Sequence, residues 1–238
     1  MDDWQRCGGD IDILDHLPAA LAMSPSNTAT GIDHISYPFN KFWMKKFPDT
    51  LRRLLNVAIT TGIEDWHESE VVLIPKANRP QYNLVKAWRM IYLLPTLSKV
   101  LGRMVLLKLA GHIDLEDTQF GSQRKRGIHD SLAVVYEFLE YNKLLHTALF
   151  SMDIEAGLDK VDSPMLCQLL CARGAPFKLV QWIRGRALQR RVRFRFNGRI
   201  SKKYWLGKGI PQGSPLSPLC LVFMSHMYSD RGCSMGQL

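Results

Sequence analysis

The sequence is short of acid. Its 238 residues include 31 Lys or Arg but only 22 Asp or Glu, a formal net charge of +9 and a pI near 9.4. That imbalance favours a polyanionic partner, nucleic acid being the usual one, with a membrane surface as the competing reading. Long apolar runs are also missing. None approaches the roughly 18 residues that a membrane-spanning helix needs, so no membrane partner is expected. The five cysteines, Cys7, Cys167, Cys171, Cys220 and Cys233, are odd in number and form no C-x-x-C pair. This argues against a disulfide framework or a zinc ribbon and for a reducing, intracellular compartment, nuclear or cytoplasmic. There is no Walker P-loop, no G-x-G-x-x-G and no G-x-S-x-G. No two histidines stand at metal-ligand spacing. The start, MDDWQRCGGDIDILD, is acidic and broken by Gly-Gly, which does not fit a signal peptide.

What is present suffices for a core, since 46% of the residues are hydrophobic. Residues 1–37 hold Pro18, Pro25 and a polar run, and read as an irregular lead-in to a unit spanning 38–238. From Phe39 to Ile63 the apolar spacing is helical, and Pro48 divides it into two helices. EVVLIPK reads as a short strand closed by Pro75. LSKVLGRMVLLKLAGHI and HDSLAVVYEFLEYNKLLH read as helices, the second clearly amphipathic. TALFSMDI is apolar enough for a buried strand. Asp162 or Ser163 caps the next helix, with Pro164 in its first turn and Gly174 beyond its end. Cys167 and Cys171 fall on that helix as packing residues. PFKLVQWIRGRALQ is a further helix. In RVRFRFNGRISKKYW, Val192, Phe194 and Phe196 alternate with Arg191, Arg193 and Arg195, so a strand has one apolar and one basic face. Asn197-Gly198 is a hairpin turn, and the return strand carries Lys202 and Lys203. The basic face is either a solvated sheet surface or a phosphate-binding one, because so many cations side by side repel unless relieved.

Three constellations carry chemistry. Asp153 ends the apolar run TALFSMDI, a position where enzymes hold divalent cations, although an Asp there could also cap the next helix. Lys76 and Arg89 flank an expected turn and form a cation couple able to clasp a triphosphate, Arg in bidentate fashion. In GKGIPQGSPLSPLCLVFM, Gly209, Pro211 and Gly213 build a tight loop, with Ser214 capping a helix that Pro215 opens. Gln212 in that loop could hydrogen-bond a base or sugar.

Taken together, these segments resemble the reverse transcriptase domain of non-LTR (LINE-type) retrotransposons, most like those of fungal genomes. GIDHISYPF resembles P-G-x-D-G-I-x-Y. VVLIPK followed by AWRMIYLLPTLSKVLGRMV resembles I-P-K and Y-R-P-I-S-L-L-x-x-x-x-K-x-x-E. DTQFGSQRKRGIHDSL is similar to Q-x-G-F-R-x-x-R-S-T-x-D-A-L, MDIEAGLDKVD to D-I-x-G-A-F-D-x-V, and GIPQGSPLSP matches G-[IV]-P-Q-G-S-P-L-S-P. The resemblance implies an α+β right-hand polymerase: mostly helical fingers and a partial palm with a small antiparallel sheet. It implies RNA-directed DNA polymerisation on an RNA template with a DNA primer and deoxynucleoside triphosphates. In the two-metal scheme two Mg²⁺ ions stand about 3.5–4 Å apart. By the same resemblance Asp153 is the first metal ligand and the catalytic carboxylate. Lys76, Arg89, Ile154, Leu158, Gln212 and Gly213 contact the nucleotide. Arg191, Arg193, Arg195, Lys202 and Lys203 are expected on nucleic acid.

The sequence also departs from the family pattern. It contains no Ala-Asp-Asp motif and no thumb, so an incomplete domain, inactive by itself, is expected, with its Asp153 strand left as an exposed apolar edge. Leu158 stands where the family has an aromatic residue, Ala156-Gly157 inverts Gly-Ala, and GSQRKR replaces G-F-R. A non-catalytic nucleic-acid-binding module, or a pseudogene remnant, is the alternative. Oligomeric state is not legible.

Overall fold

The computed structural model describes residues 13–232 apart from 62–65, 67, 113–116, 124, 144–145, 152, 155 and 189. Chain order gives α1 (Leu17–Ala22), α2 (Tyr37–Lys46), α3 (Pro48–Thr60), β1 (Glu68–Pro75), β2 (Trp88–Leu93) and α4 (Thr96–Leu109). These are followed by α5 (Ile128–Tyr141), α6 (Gly157–Lys160), α7 (Ser163–Ala172) and α8 (Phe177–Leu188). The last elements are β3 (Arg190–Phe196), β4 (Arg199–Ile200), β5 (Tyr204–Leu206) and α9 (Ser217–Gly232). The fold is α+β.

Helices build the main core. In α3, Leu51, Leu55, Ala58 and Ile59 are buried, the i, i+4, i+7, i+8 stripe of a surface helix. They meet Leu97, Val100, Leu101, Met104 and Val105 of α4, Leu166 and Leu170 of α7, and Leu179 and Ile183 of α8. Pro48 in the first turn of α3 separates it from α2, as the sequence suggests. Asp162 caps α7 by accepting from the Met165 amide, and Gly174 takes φ +77° after the helix. Cys167 is fully buried, and burial pushes its thiol up to about 11, as expected of a packing residue.

The lead-in is not irregular throughout. Leu17–Ala22 is helical and Leu17, Ala20 and Leu21 join the main core, where α1 packs on α4. Pro18 misleads because it sits in the first turn, where its missing N–H costs nothing.

The sheet runs β2-β1-β3-β4, with β5 also pairing β3. It is mixed rather than antiparallel, since β1 and β3 pair in parallel. The Asn197-Gly198 turn has φ +48° and +73°, the left-handed pair that a tight hairpin requires. The return strand is broken into β4 and β5 by a bulge at Ser201, whose amide donates to the Phe194 carbonyl and whose Oγ accepts from the Phe194 amide.

One expectation fails, and a neighbouring helix forms without a buried face. TALFSMDI forms no strand among the described residues, and Leu149, Phe150 and Ile154 are exposed rather than buried. α5 forms, but none of its residues is buried; Leu132, Val134, Tyr136 and Phe138 all face outward. Apolar pattern alone makes neither a strand nor a buried face. A strand needs a ladder partner, and the sheet closes without this one. The outer side of β2 meets the Gln212 carbonyl, which accepts from the Tyr92 amide at 2.9 Å.

A candidate nucleotide-binding cleft

The Pro211-Gln212-Gly213 loop is fixed by backbone. Gly209 donates to the Val161 carbonyl at 3.1 Å and Ile210 to the Leu158 carbonyl at 2.8 Å. Gly209, at φ +75°, lies so close to the Asp159 backbone that a Cβ would stand 2.5 Å from its carbonyl oxygen. A Cβ on Gly213, at φ +127°, would stand 2.7 Å from the Tyr92 carbonyl oxygen. Glycine is required at both for conformation and for closeness. The loop is thus wedged between β2 and the α6 turn. Ser214 does not cap α9, which begins later, at Ser217; its Oγ accepts from the Leu216 amide within the preceding turn.

This wedge forms one wall of a cleft of about 490 Å³, within the usual range for small-molecule sites. The β1–β2 hairpin adds Lys76, Trp88, Arg89 and Met90 to the lining. Ile154, Leu158 and Gln212 line the cleft, and so does Asp153. Four separate chain segments therefore bring Asp153 and five of the six expected nucleotide contacts into one space. Gly213 is the sixth and does not line it; its part is the backbone approach to β2.

Asp153 is on a loop rather than a strand tip, and its side chain is exposed. It caps no helix: the residue before α6 is Ala156, at φ +55°. Lys76 is held in place, with Nζ donating to the Lys86 carbonyl at 2.9 Å across the hairpin neck. Arg89 is exposed.

Asp159 lines the cleft too, as do residues not singled out from the sequence: Gln119, Gly121, Ser122, Leu221 and Val222. Gln119 and Asp159 stand in segments already matched to family motifs, which was the available signal. Arg126 braces the 117–121 turn, paired to the Asp117 carboxylate at 3.1 Å with its guanidinium over the Phe120 ring. The acids of this cleft that the structure describes are Asp153 and Asp159, and no group of three metal-ligating side chains occurs among the described residues. Two exposed carboxylates suit a Mg²⁺ that arrives on phosphate oxygens and keeps its waters.

The basic face of β3 lies elsewhere and is largely answered from within. Parallel pairing sets Glu68 beside Arg191 and Glu70 beside Arg193. Glu68 accepts from Lys203 Nζ at 2.8 Å and forms an ion pair with Arg193 Nε at 2.9 Å, while Glu70 accepts from Arg195 Nη2 at 2.8 Å and forms an ion pair with its Nε. Burial alone would raise the Glu68 carboxyl, but Lys203 and then Arg193 outweigh it and hold the group below its ordinary value. Arg191 lies 5.2 Å over the Trp205 ring and Lys202 5.7 Å over that of Tyr204.

Comparison with known proteins bears on this arrangement. The family described as reverse transcriptase (RNA-dependent DNA polymerase) matches residues 74–230. An uncharacterised 149 kDa protein of transposon TX1 from Xenopus laevis is 26% identical, covering 86% of this chain and 16% of its own length. The RNA-directed DNA polymerase from mobile element jockey of Drosophila melanogaster is 26% identical over 90% of this chain and 24% of its own length. A probable RNA-directed DNA polymerase from transposon X-element of the same fly is also 26% identical, over 68% of this chain. The chain thus spans less than a quarter of the length of these relatives.

Proposed function

The chain belongs to the reverse transcriptase (RNA-dependent DNA polymerase) family, and on that premise we propose that its cleft receives a deoxynucleoside triphosphate during RNA-directed DNA synthesis by a retrotransposon. The observation that carries this reading is the convergence of Lys76, Arg89, Asp153, Leu158 and Gln212 on one cleft from distant parts of the chain. Lys76 and Arg89 neutralise the triphosphate, Arg89 by a bidentate fork. Ile154 and Leu158 give an apolar rest for the sugar, and the Gln212 amide orients base or sugar. Asp153 would hold a Mg²⁺ ion brought by the nucleotide, whose chemistry there is to neutralise developing phosphate charge. RNA template and DNA primer would approach from the open side of the cleft. The rate contribution of these side chains is positional and electrostatic.

In equilibrium binding with dATP, Mg²⁺ should tighten the wild-type complex. Asp153→Asn should abolish that Mg²⁺ dependence, and Lys76→Ala should weaken binding with or without metal. Mg²⁺-dependent binding that survives Asp153→Asn would remove the assignment.

A second reading, nucleic-acid binding without catalysis, is favoured by the outer edge of the β3 hairpin. There Arg191 and Lys202 pair with exposed Trp205 and Tyr204, a combination suited to phosphate and stacked bases. Trp205→Ala with Tyr204→Ala should weaken single-stranded RNA binding and leave dATP binding intact.

A further inference from the structure

Arg190 opens β3 beneath the Pro-Gln-Gly loop and is only 4% exposed. A guanidinium that deep is costly unless its donors are met. They are met in part. One nitrogen, Nη2, donates to the Lys208 carbonyl, whereas Nε and Nη1 have no acceptor among the described residues. The group lies 5.4 Å over the Tyr92 ring. Burial pulls its pKa down, and Tyr92 and Asp159 oppose this by favouring the charged form. Arg186 adds a like charge nearby, itself held to Ser98 and over the Trp182 ring. As a core residue Arg190 is a poor choice, for an aliphatic side chain would fill the space without a buried charge.

Its contacts suggest another reason for it. Lys208 precedes Gly209, at the start of the loop. Tyr92 gives its amide to Gln212 and its carbonyl to the close approach of Gly213. Asp159 lines the cleft and lies against Gly209. One side chain thus touches or attracts β2, the α6 turn and the loop wedged between them.

We propose that Arg190 is a positioning residue that clamps the 208–213 loop between β2 and α6, so that Gln212 faces the nucleotide. The nucleotide part rests on the reading of the cleft given above; the clamping part does not.

The test is residue-resolved amide hydrogen exchange on the whole chain, for wild type, Arg190→Met, Arg190→Lys and Tyr92→Phe. In Arg190→Met, exchange at the amides of Tyr92, Gly209 and Ile210 should rise tenfold or more, while those of α3 and the middle of α4 stay unchanged. Arg190→Lys should restore part of the protection, since it keeps the charge toward Asp159. Tyr92→Phe, which keeps the ring but removes the hydroxyl that favours the charged guanidinium, should loosen the same three amides by less. Uniform acceleration across the fold, or no change at these three, would overturn the proposal. If Arg190→Met does not fold, Arg190→Lys and Tyr92→Phe decide it by the same pattern. In the same samples, dATP affinity should fall about tenfold in Arg190→Met with RNA affinity unchanged; unaltered dATP affinity would overturn the link to Gln212. A wild-type chain that binds no dATP removes the cleft assignment, and the exchange pattern then decides the clamp alone.

Discussion

Two basic regions of this protein look alike in the sequence and differ in the fold. β3 carries Arg191, Arg193 and Arg195, and the return strand adds Lys202 and Lys203. The β1–β2 hairpin carries Lys76, Arg79, Lys86 and Arg89, within a stretch from Val71 to Ile113 that holds no acid. On β3, acids brought by parallel pairing engage Arg193, Arg195 and Lys203. At the hairpin no acid is local, and Lys76 and Arg89 line a cleft that the Asp153 loop also lines. A count of cations is therefore a poor guide to where phosphate binds. What matters is which of them the fold has already neutralised.

The largest expected effect comes from removing the acids that make the difference. Glu68→Gln with Glu70→Gln strips the β3 cations of their partners while Glu68 and Glu70 are themselves buried. Stability should fall by roughly 3 kcal/mol after discounting the half-exposed partners, read by denaturant melts. RNA affinity of the variant should rise at low salt, since the freed cations become available. A variant as stable as wild type would show that the network is ornamental.

Next comes the hairpin. Lys76→Ala with Arg89→Ala should leave the melting midpoint nearly unchanged, because Arg89 is exposed and Lys76 bonds only a carbonyl. Affinity for dATP should drop a hundredfold or so, about 2.7 kcal/mol. The converse variant, Arg193→Ala with Arg195→Ala, should leave dATP affinity within about twofold, or roughly 0.4 kcal/mol. Equal losses from both pairs would erase the contrast.

A smaller effect concerns pH. The Glu68 carboxyl is depressed in the folded state from its ordinary value of 4.5. Its contribution is therefore fully present above that value and is lost as pH falls through the lower folded value. Between pH 6 and pH 3 the melting temperature of wild type should fall more steeply than that of Glu68→Gln. Parallel curves would mean that Lys203 and Arg193 do not hold the group.

Smallest is the salt slope of RNA binding. Since β3 cations with carboxylate partners have few counterions to release, Arg193→Ala should change the slope of log K against log[salt] by less than the roughly 0.7 expected per phosphate contact on a single strand. Lys202→Ala, whose ammonium has an aromatic neighbour, should change it more.

Local signals were read correctly where the chain has only local choices. Pro48 splits two helices, Asp162 caps α7, Asn197-Gly198 turns β3 back, and the i, i+4 stripe of α3 faces the core. These follow from backbone sterics and periodicity, which a neighbouring segment cannot change. Four of the residues that line the cleft, Lys76, Arg89, Asp153 and Gln212, are legible as well, because they stand in short motifs. WRMIYLL carries no strand signal in its sequence, since its two faces are both partly covered and no alternation shows. Nor did the motifs reveal Arg190, which sits in a basic run beside Arg191 and looks like one more surface cation.

By itself, then, the amino-acid order determined the helix boundaries at Pro48 and Asp162, the turn at Asn197-Gly198 and the excess of positive charge. The tertiary structure alone decided that β1 and β3 run parallel, so that Glu68 and Glu70 quench the nearby arginines. It left TALFSMDI and the apolar side of α5 outside the core, and it drew four distant segments around one cleft. The physical reason is the same in each case. Pairing, burial and ion neutralisation are properties of two surfaces in contact, and a single segment encodes only one of the two.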